Sequence, residues 1–236
     1  MNFSIVIPIY NEGNNILVLI NEIYESLNKI NYVDEFEIII VDDSSIDNSS
    51  TNIENYINDK KLSNIKLIIN KKNIGQSYSL LEGIKKSKFN TILTLDGDLQ
   101  NNPKDIPSLL KIYFGDDLIS LIGGIRNKRK DNFVKIFTSK IANYVRRLIL
   151  NDDCNDTGCA LKIFDKKIFL SFPFFDGIHR FLPALYKGYG KKTKFINVDH
   201  RPRIYGKSNY GTLKRFFLGI LHIYKVYKII NKNQND

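Results

Sequence analysis

The chain has 236 residues, 43% of them apolar, enough for one large packed domain or two small ones and too many for a disordered chain, the polar tail NKNQND excepted. Its formal charge of +10 is uneven: residues 1–118 carry 11 Lys and Arg against 17 Asp and Glu, and residues 119–236 carry 24 against 8. A basic second half asks for an anionic partner such as nucleic acid, a phosphorylated substrate or an acidic membrane surface, with a solvated basic face as the plain alternative.

The opening MNFSIVIPIYNE has no basic flank and too short an apolar run for a leader, so the chain is expected to stay in the cytoplasm. Within it FSIVIPI (3–9) reads as a buried strand, and Ile16, Leu17, Ile20, Ile23, Tyr24 and Leu27 then recur at helical spacing. FEIIIVDD (36–43) predicts a second strand, followed by a capped helix beginning at SSIDNSS. IKLIIN (65–70) is a third strand, followed by a helix through QSYSLLEGIKKS, and TILTL is a fourth, with a helix starting near Pro103, which suits a first-turn position. Strands alternating with helices imply a mostly parallel, Rossmann-like sheet covered on both faces. Cys154 and Cys159 form a C-x4-C pair without the second pair or the histidines of a zinc site, so free thiols are expected.

Ligands of such sheets bind beyond the carboxyl ends of the strands. Every polar cluster of the first half falls there: Tyr10-Asn11-Glu12, Asp42-Asp43-Ser44, Asn73-Ile74-Gly75-Gln76 and Asp96-Gly97-Asp98. Two carboxylates as close as Asp96 and Asp98 repel unless a cation lies between them or one is protonated. Mg2+ or Mn2+, held by one or two carboxylates plus substrate phosphates, resolves that repulsion; an Asp-rich helix-capping turn is the structural alternative. No G-x-G-x-x-G or Walker A sequence follows any strand, which argues against a dinucleotide oxidoreductase or a P-loop NTPase.

The ordered set VIPIYNE (6–12), IIIVDDSSIDNS (38–49), NIGQSYSLLEGIKKS (73–87) and TLDGDLQNNP (94–103) resembles family-2 glycosyltransferases of GT-A fold. RNKRKDNFVKIFTSKIAN (126–143), DTGCALKIFDK (156–166) and HRPRIYGKSNYG (200–211) extend the likeness toward the polyprenyl-phosphate, or dolichol-phosphate, branch. The resemblance implies a catalytic domain over 1–211, with a nucleotide-sugar-binding half (1–118) and an acceptor-binding half (119–211), then a helix over 212–232 and a tail over 233–236. It implies that Pro8, Tyr10, Glu12 and Asp42 hold the nucleoside of the donor. Asp96, Asp98 and Gln100 match the metal and donor-phosphate site. Arg126, Arg129 and Lys135 match cationic positions for phosphate, Arg203 and Ser208 fall in a loop that closes over donor and acceptor, and Asp156 faces the acceptor. Lys135 and Lys162 stand where arginine is common, which keeps charge but loses the bidentate fork, and Asn209 replaces a frequent lysine.

An ionised lipid monophosphate needs no proton removed before it attacks, so the basic second half suits a polyprenyl-phosphate acceptor; a sugar hydroxyl would require a general base, a role open to Asp156. Two stretches read as basic amphipathic helices able to lie at a membrane interface, with an ordinary core-facing helix as the alternative. In 133–150, Lys135, Lys140, Arg146 and Arg147 oppose Phe137, Ile141, Tyr144, Val145 and Leu148; in 212–232, Lys214, Arg215, His222, Lys225, Lys228 and Lys232 oppose Phe216, Ile220, Ile223, Tyr227 and Ile230. Neither has the ~18 uninterrupted apolar residues of a spanning helix, so peripheral contact or a separate membrane partner is expected. A glycan or lipid-linked saccharide hydroxyl as acceptor, a signalling receiver suggested by IIIVDD, and a nucleic-acid binder suggested by charge are the competing readings; the last lacks an aromatic stacking platform, so no nucleic-acid partner is expected.

Overall fold

The computed structural model describes residues 1–127, 143–203 and 212–235, with side chains of the last helix from 218 to 233. Among the described residues seven strands form one sheet: β1 (Asn2–Ile9), β2 (Glu35–Asp42), β3 (Ile65–Ile69), β4 (Thr91–Thr94), β5 (Ile119–Arg126), β6 (Lys162–Asp165) and β7 (Lys192–Val198), in the order β3-β2-β1-β4-β6-β5-β7. β1 to β4 run parallel, β6 is antiparallel to β4 and β5, and β7 is parallel to β5. The helices are α1 (Ile16–Leu27), α2 (Ser49–Lys60), α3 (Gln76–Lys86), α4 (Ile106–Phe114), α5 (residues 143–150), α6 (Lys166–Ser171), α7 (Leu182–Gly188) and α8 (Thr212–Asn235). The expected α/β class and largely parallel sheet hold.

Side chains alternate across a strand, and here both faces are covered, so the central strands are apolar throughout. Phe3, Ile5, Ile7 and Ile9 of β1 pack with Ile16, Leu19, Ile20 and Ile23 of α1 and Leu109 and Leu110 of α4. Val6, on the other face, packs with Leu80 and Ile84 of α3 and with the aromatic cluster of Phe164, Phe169 and Tyr186. Each such side chain contributes roughly 1.5–3 kcal/mol on full burial. Helix α3 lies hard against the sheet at Gly83, where a Cβ would sit 2.5 Å from Val6 Cγ1 and 2.9 Å from Val41 Cγ2. The Pro103 expectation resolves into a 3-10 turn, Pro103–Asp105, whose first residues are capped by Asn102 and which leads into α4.

The chain leaves β1 toward β2 and β3, then returns across it to β4. β1 and β4 therefore flank the point where the order reverses, and the crevice beyond their carboxyl ends is the default ligand position of an open sheet. Val6 pairs with Thr94, a register that brings Pro8–Tyr10 level with Asp96–Asp98, and Glu12 Cγ lies 3.6 Å from where a Cβ on Gly97 would sit.

The two basic helices differ from their wheels. In α5, Tyr144, Val145, Leu148 and Ile149 are exposed, as an interfacial helix requires and a core-facing one does not, while Arg146 departs from the basic face and is buried. In α8, Ile223 and Ile230 face the protein with Val226, while Ile220 and Tyr227 point outward with Leu218, Leu221 and Tyr224. His222 is not on a solvated basic face but packs against Phe175 and Phe181. Lys135, Lys140, Phe137, Ile141, Lys214, Arg215 and Phe216 lie outside the residues whose side chains are described.

Candidate active site

The acidic pair sits where β4 ends. Gly97 is required there, since a Cβ would approach Ile9 Cγ2 to 2.7 Å, and this close passage sets Asp96 and Asp98 beside Glu12. Asp98 is buried; its Oδ1 accepts from the backbone N–H of Gln100 (3.1 Å) and its Oδ2 from Arg203 Nη2 (2.6 Å). Asp96 Oδ1 accepts from Gln76 Nε2 (2.7 Å), and among the described residues no hydrogen bond reaches its Oδ2. Burial and the neighbouring Asp98 push the Asp96 carboxyl up to about 7, against the pull of Lys162, Arg126 and Arg203. Glu12 is also raised, first by burial, with Asn15 opposing and Asp98 adding to the shift.

The sequence places Gln76 in the polar cluster 73–76 beyond β3 without giving it a role, and the structure supplies the reason for its position. Asp43 accepts from the N–H groups of Ile74 (2.9 Å) and Gly75 (2.8 Å) and from Asn70 Nδ2 (2.9 Å), which fixes the turn that starts α3 and delivers Gln76 to Asp96. The neighbouring Asp42 is turned inward: Oδ1 accepts from Ser45 N–H (2.8 Å) and Oδ2 from the Ser50 hydroxyl. Pro8 is buried opposite Val41, whereas Tyr10 at the end of β1 remains partly exposed. Asn11, at φ 57°, receives Ile46 N–H and gives its own N–H to Ser45 Oγ, so the loops after β1 and β2 are tied together.

A second tie joins the metal motif to the segment after β7. Asn101 and His200 form a β-bridge, Arg201 N–H donates to Gln100 O (2.9 Å), and Gln100 Nε2 donates to Arg201 O (3.3 Å). The Arg201 guanidinium is held by both oxygens of Glu22 (2.8 Å each) and by Asn102 Oδ1 (2.6 Å). These contacts set the position of Arg203 on Asp98. On the far side, Arg126 at the end of β5 forms a two-pronged pair with Asp156, Nε to Oδ2 at 2.6 Å and Nη2 to Oδ1 at 2.7 Å. Lys162 is buried, its ammonium on the carbonyls of Cys159 and Thr157 (3.4 Å for the latter).

Thus Glu12, Asp96, Asp98, Arg126, Asp156 and Arg203 converge, while Pro8 and Asp42 shape the loops beside them. Arg129, Lys135 and Ser208 lie outside the described residues. His179 is buried on Ser77 Oγ (2.8 Å) and its burial drives the imidazole well below its ordinary value, so it is neutral at neutral pH. Cys154 and Cys159 are free and buried.

Among the described residues no cluster of three or more His, Cys, Asp and Glu could hold a metal by itself. The pair nevertheless suits a hard divalent ion that draws further ligands from substrate phosphates, because Asp96 has an oxygen without a partner among the described residues and carries the repulsion such an ion relieves. A pH signature follows. Below pH ~7 the native pair retains a proton that the unfolded chain has released above pH ~4, so metal-free stability should fall as pH rises through this window and level off beyond it. Asp96→Asn should flatten that slope in thermal melts. Binding of Mn2+ with a nucleotide-sugar, whose diphosphate does not titrate in this range, should expel more protons at pH 6 than at pH 8.5, read by calorimetry in buffers of different ionisation enthalpy.

Residues 4–172 match the family described as Glycosyl transferase family 2. The chain is 32% identical over 228 residues to dodecaprenyl-phosphate galacturonate synthase of Rhizobium johnstonii, covering 96% of this chain and 66% of that protein. It is 32% identical over 213 residues to undecaprenyl-phosphate 4-deoxy-4-formamido-L-arabinose transferase of Pectobacterium atrosepticum, covering 90% and 64%. The chain thus spans just under two thirds of the length of these curated relatives. Among solved structures, glucosyl-3-phosphoglycerate synthase from Mycobacterium tuberculosis, in complex with Mn2+, UDP and phosphoglyceric acid, is similar with a TM-score of 0.67 at 14% identity, over 95% of this chain and 76% of that one. That likeness is one of fold and agrees with a GT-A arrangement. The match over residues 4–172, on a sheet that presents its acidic pair at the β1/β4 reversal, establishes that the chain belongs to glycosyl transferase family 2.

Proposed function

We propose that this protein is an inverting glycosyltransferase that moves a sugar from a UDP- or GDP-linked donor to a polyprenyl phosphate at the cytoplasmic face of a membrane. The observation that carries the reading is the meeting of Asp96 and Asp98 with three cations, Arg126, Lys162 and Arg203, in one corner of a family-2 chain. The names of the relatives, both prenyl-phosphate sugar transferases, supply the acceptor class.

Pro8, Tyr10, Glu12 and Asp42 line the donor side, where the nucleoside would lie beyond β1 and β2. Asp96 and Asp98, with Gln100, would hold Mg2+ or Mn2+, which when bound screens the diphosphate leaving group. Arg126 and Arg203 bring positive charge to the phosphates. An oxygen of the lipid phosphate forms the new bond to the anomeric carbon as the bond to the nucleoside diphosphate breaks, and the electron pair leaves with the diphosphate. An ionised phosphate gives up no proton, so positioning and charge screening supply the catalysis. A hydroxyl acceptor would need a base, and both oxygens of Asp156 are already engaged by Arg126. The receiver reading falls to the mixed seven-stranded sheet and the family match.

The purified protein with Mn2+, a ten-carbon prenyl phosphate and a panel of UDP- and GDP-sugars should yield a prenyl-phosphate sugar with a phosphodiester linkage. A glycosidic product, or none from any donor, sinks this reading.

No helix among the described residues is long and apolar enough to cross a membrane. We assign membrane contact to the outward apolar side chains of α5 and α8, where Ile149 and Tyr227 line one groove of about 270 Å³ and Lys225, Lys228 and Lys232 lie exposed on α8. Leu221→Glu with Tyr224→Glu should weaken binding to phosphatidylglycerol vesicles by at least about a hundredfold in co-sedimentation, the loss expected when two apolar anchors at about 1.5 kcal/mol or more each are removed. Unchanged binding would point instead to a separate membrane protein as the tether.

A further inference from the structure

Arg146 was expected on a solvated basic face, and it is 3% exposed. All five N–H donors of its guanidinium are used: Nε to Asp152 Oδ2 (2.9 Å), Nη1 to Asn143 Oδ1 (2.6 Å) and Thr157 Oγ1 (2.8 Å), and Nη2 to Asp152 Oδ1 (2.9 Å) and the Cys154 carbonyl. Four of the five therefore land on the segment 152–157. The same segment is held at its margins by Arg147 to Asn155 and by Lys187 to Asp153 (2.6 Å).

That segment carries the anchors of the catalytic corner. Asp156 pairs with Arg126, and the Thr157 carbonyl receives Lys162 at 3.4 Å, with the Cys159 carbonyl, two residues beyond the segment, as the other acceptor. Arg126 and Lys162 are two of the cations that pull down on the Asp96 carboxyl. A buried ion pair adds little stability over apolar residues of the same bulk, so satisfying every donor of a buried arginine is better understood as fixing a backbone position.

We propose that Arg146 is a positioning residue for the acceptor side of the site: it sets the 152–157 segment, and through it the placement of Arg126 and Lys162. Naming that side as the acceptor side rests on the lipid-phosphate reading. Lysine has three donors against five and no planar fork, so it cannot reproduce the set.

The test compares wild type with Arg146→Lys and with Arg146→Met/Asp152→Leu, which removes the pair while keeping bulk. Both variants should bind Mn2+-UDP or Mn2+-GDP within about twofold of wild type, while kcat/KM for the ten-carbon prenyl phosphate falls about 30- to 100-fold, the scale expected for a small misplacement of reacting groups. The double variant should melt within a few degrees of wild type, which separates position from stability. Amide exchange at residues 152–157 should quicken in both, with β1–β4 unchanged. Unchanged transfer, or donor affinity falling in parallel with transfer, overturns the assignment. If wild type labels no prenyl phosphate, the lipid-phosphate reading fails by itself and exchange then decides: faster exchange confined to 152–157 supports positioning by Arg146, and unchanged exchange overturns it.

Discussion

Asp98→Asn should lower sugar transfer by about 10³-fold without unfolding the protein, the upper end of what one preorganised electrostatic group supplies. Asparagine keeps a carbonyl for the Gln100 N–H, so the turn after β4 survives. It loses the charge toward a divalent ion and toward Arg203, whose guanidinium now meets Asp98 Oδ2 at 2.6 Å. Asp98 is also a cause of the raised Asp96 carboxyl, so the variant should return Asp96 toward ordinary carboxylate behaviour and melt at or above the wild-type temperature near pH 8. Two measurements check this: kcat with Mn2+ and donor in excess, and Mn2+ binding by electron paramagnetic resonance, where affinity in the presence of UDP or GDP should fall in step with kcat. A loss of less than tenfold with unaltered Mn2+ binding would remove Asp98 from the metal and donor-phosphate site.

The first half of the fold was legible because its strands are buried on both faces. FSIVIPI, FEIIIVDD, IKLIIN and TILTL each read as an apolar run, and the observed β1 to β4 lie within a residue or two of those runs. The second half carries no such signal. β5 contains Gly123 and Gly124, β6 has four residues, and β7 at the sheet edge alternates lysine with other residues, so none presents a continuous apolar stretch. The helical wheels failed at Arg146 because a wheel assigns charge to solvent, whereas a guanidinium is buried when all its donors find partners, and those partners lie in a loop outside the helix.

For the site, the motifs named most of the participants but not their pairings. Asp156 meets Arg126 across 30 positions, and Arg203 meets Asp98 across 105. Such contacts follow from strand order, since β5 and β7 lie beyond β6 on the side of β4 away from β1. Asp42 shows the converse. A motif aspartate at a strand end is drawn as a ligand contact, and here each of its oxygens also accepts within the loop, from Ser45 and Ser50, so that it fixes the loop on the donor side. Its neighbour Asp43, named in the sequence only as part of the cluster 42–44, fixes the turn that brings Gln76 to Asp96.

Asp156→Asn should reduce transfer by about 10²-fold, through displacement of Arg126 rather than loss of a base. In the native protein both prongs of the Arg126 guanidinium and its backbone N–H end on the Asp156 carboxylate, which is buried. An asparagine offers one acceptor and turns an N–H2 group toward the guanidinium, so the fork opens and the cation leaves the position from which it reaches Asp96. The pH–rate profile separates the roles. If Asp156 only holds Arg126, the variant's profile, measured with Mn2+ and donor saturating so that Asp96 stays ionised, keeps its shape and drops uniformly, because no proton leaves the acceptor at this residue. If Asp156 is a general base, the rate in wild type rises with pH through its titration and the variant loses that limb. Arg126→Lys supplies the complementary measurement: charge remains but the two-pronged geometry goes, and a loss of at least about tenfold is expected where a planar fork is required. A uniform drop in Asp156→Asn together with a loss in Arg126→Lys is what an anionic acceptor demands, since that acceptor needs a fixed cation and no base. Disappearance of the limb would shift the acceptor to a hydroxyl and give Asp156 the proton.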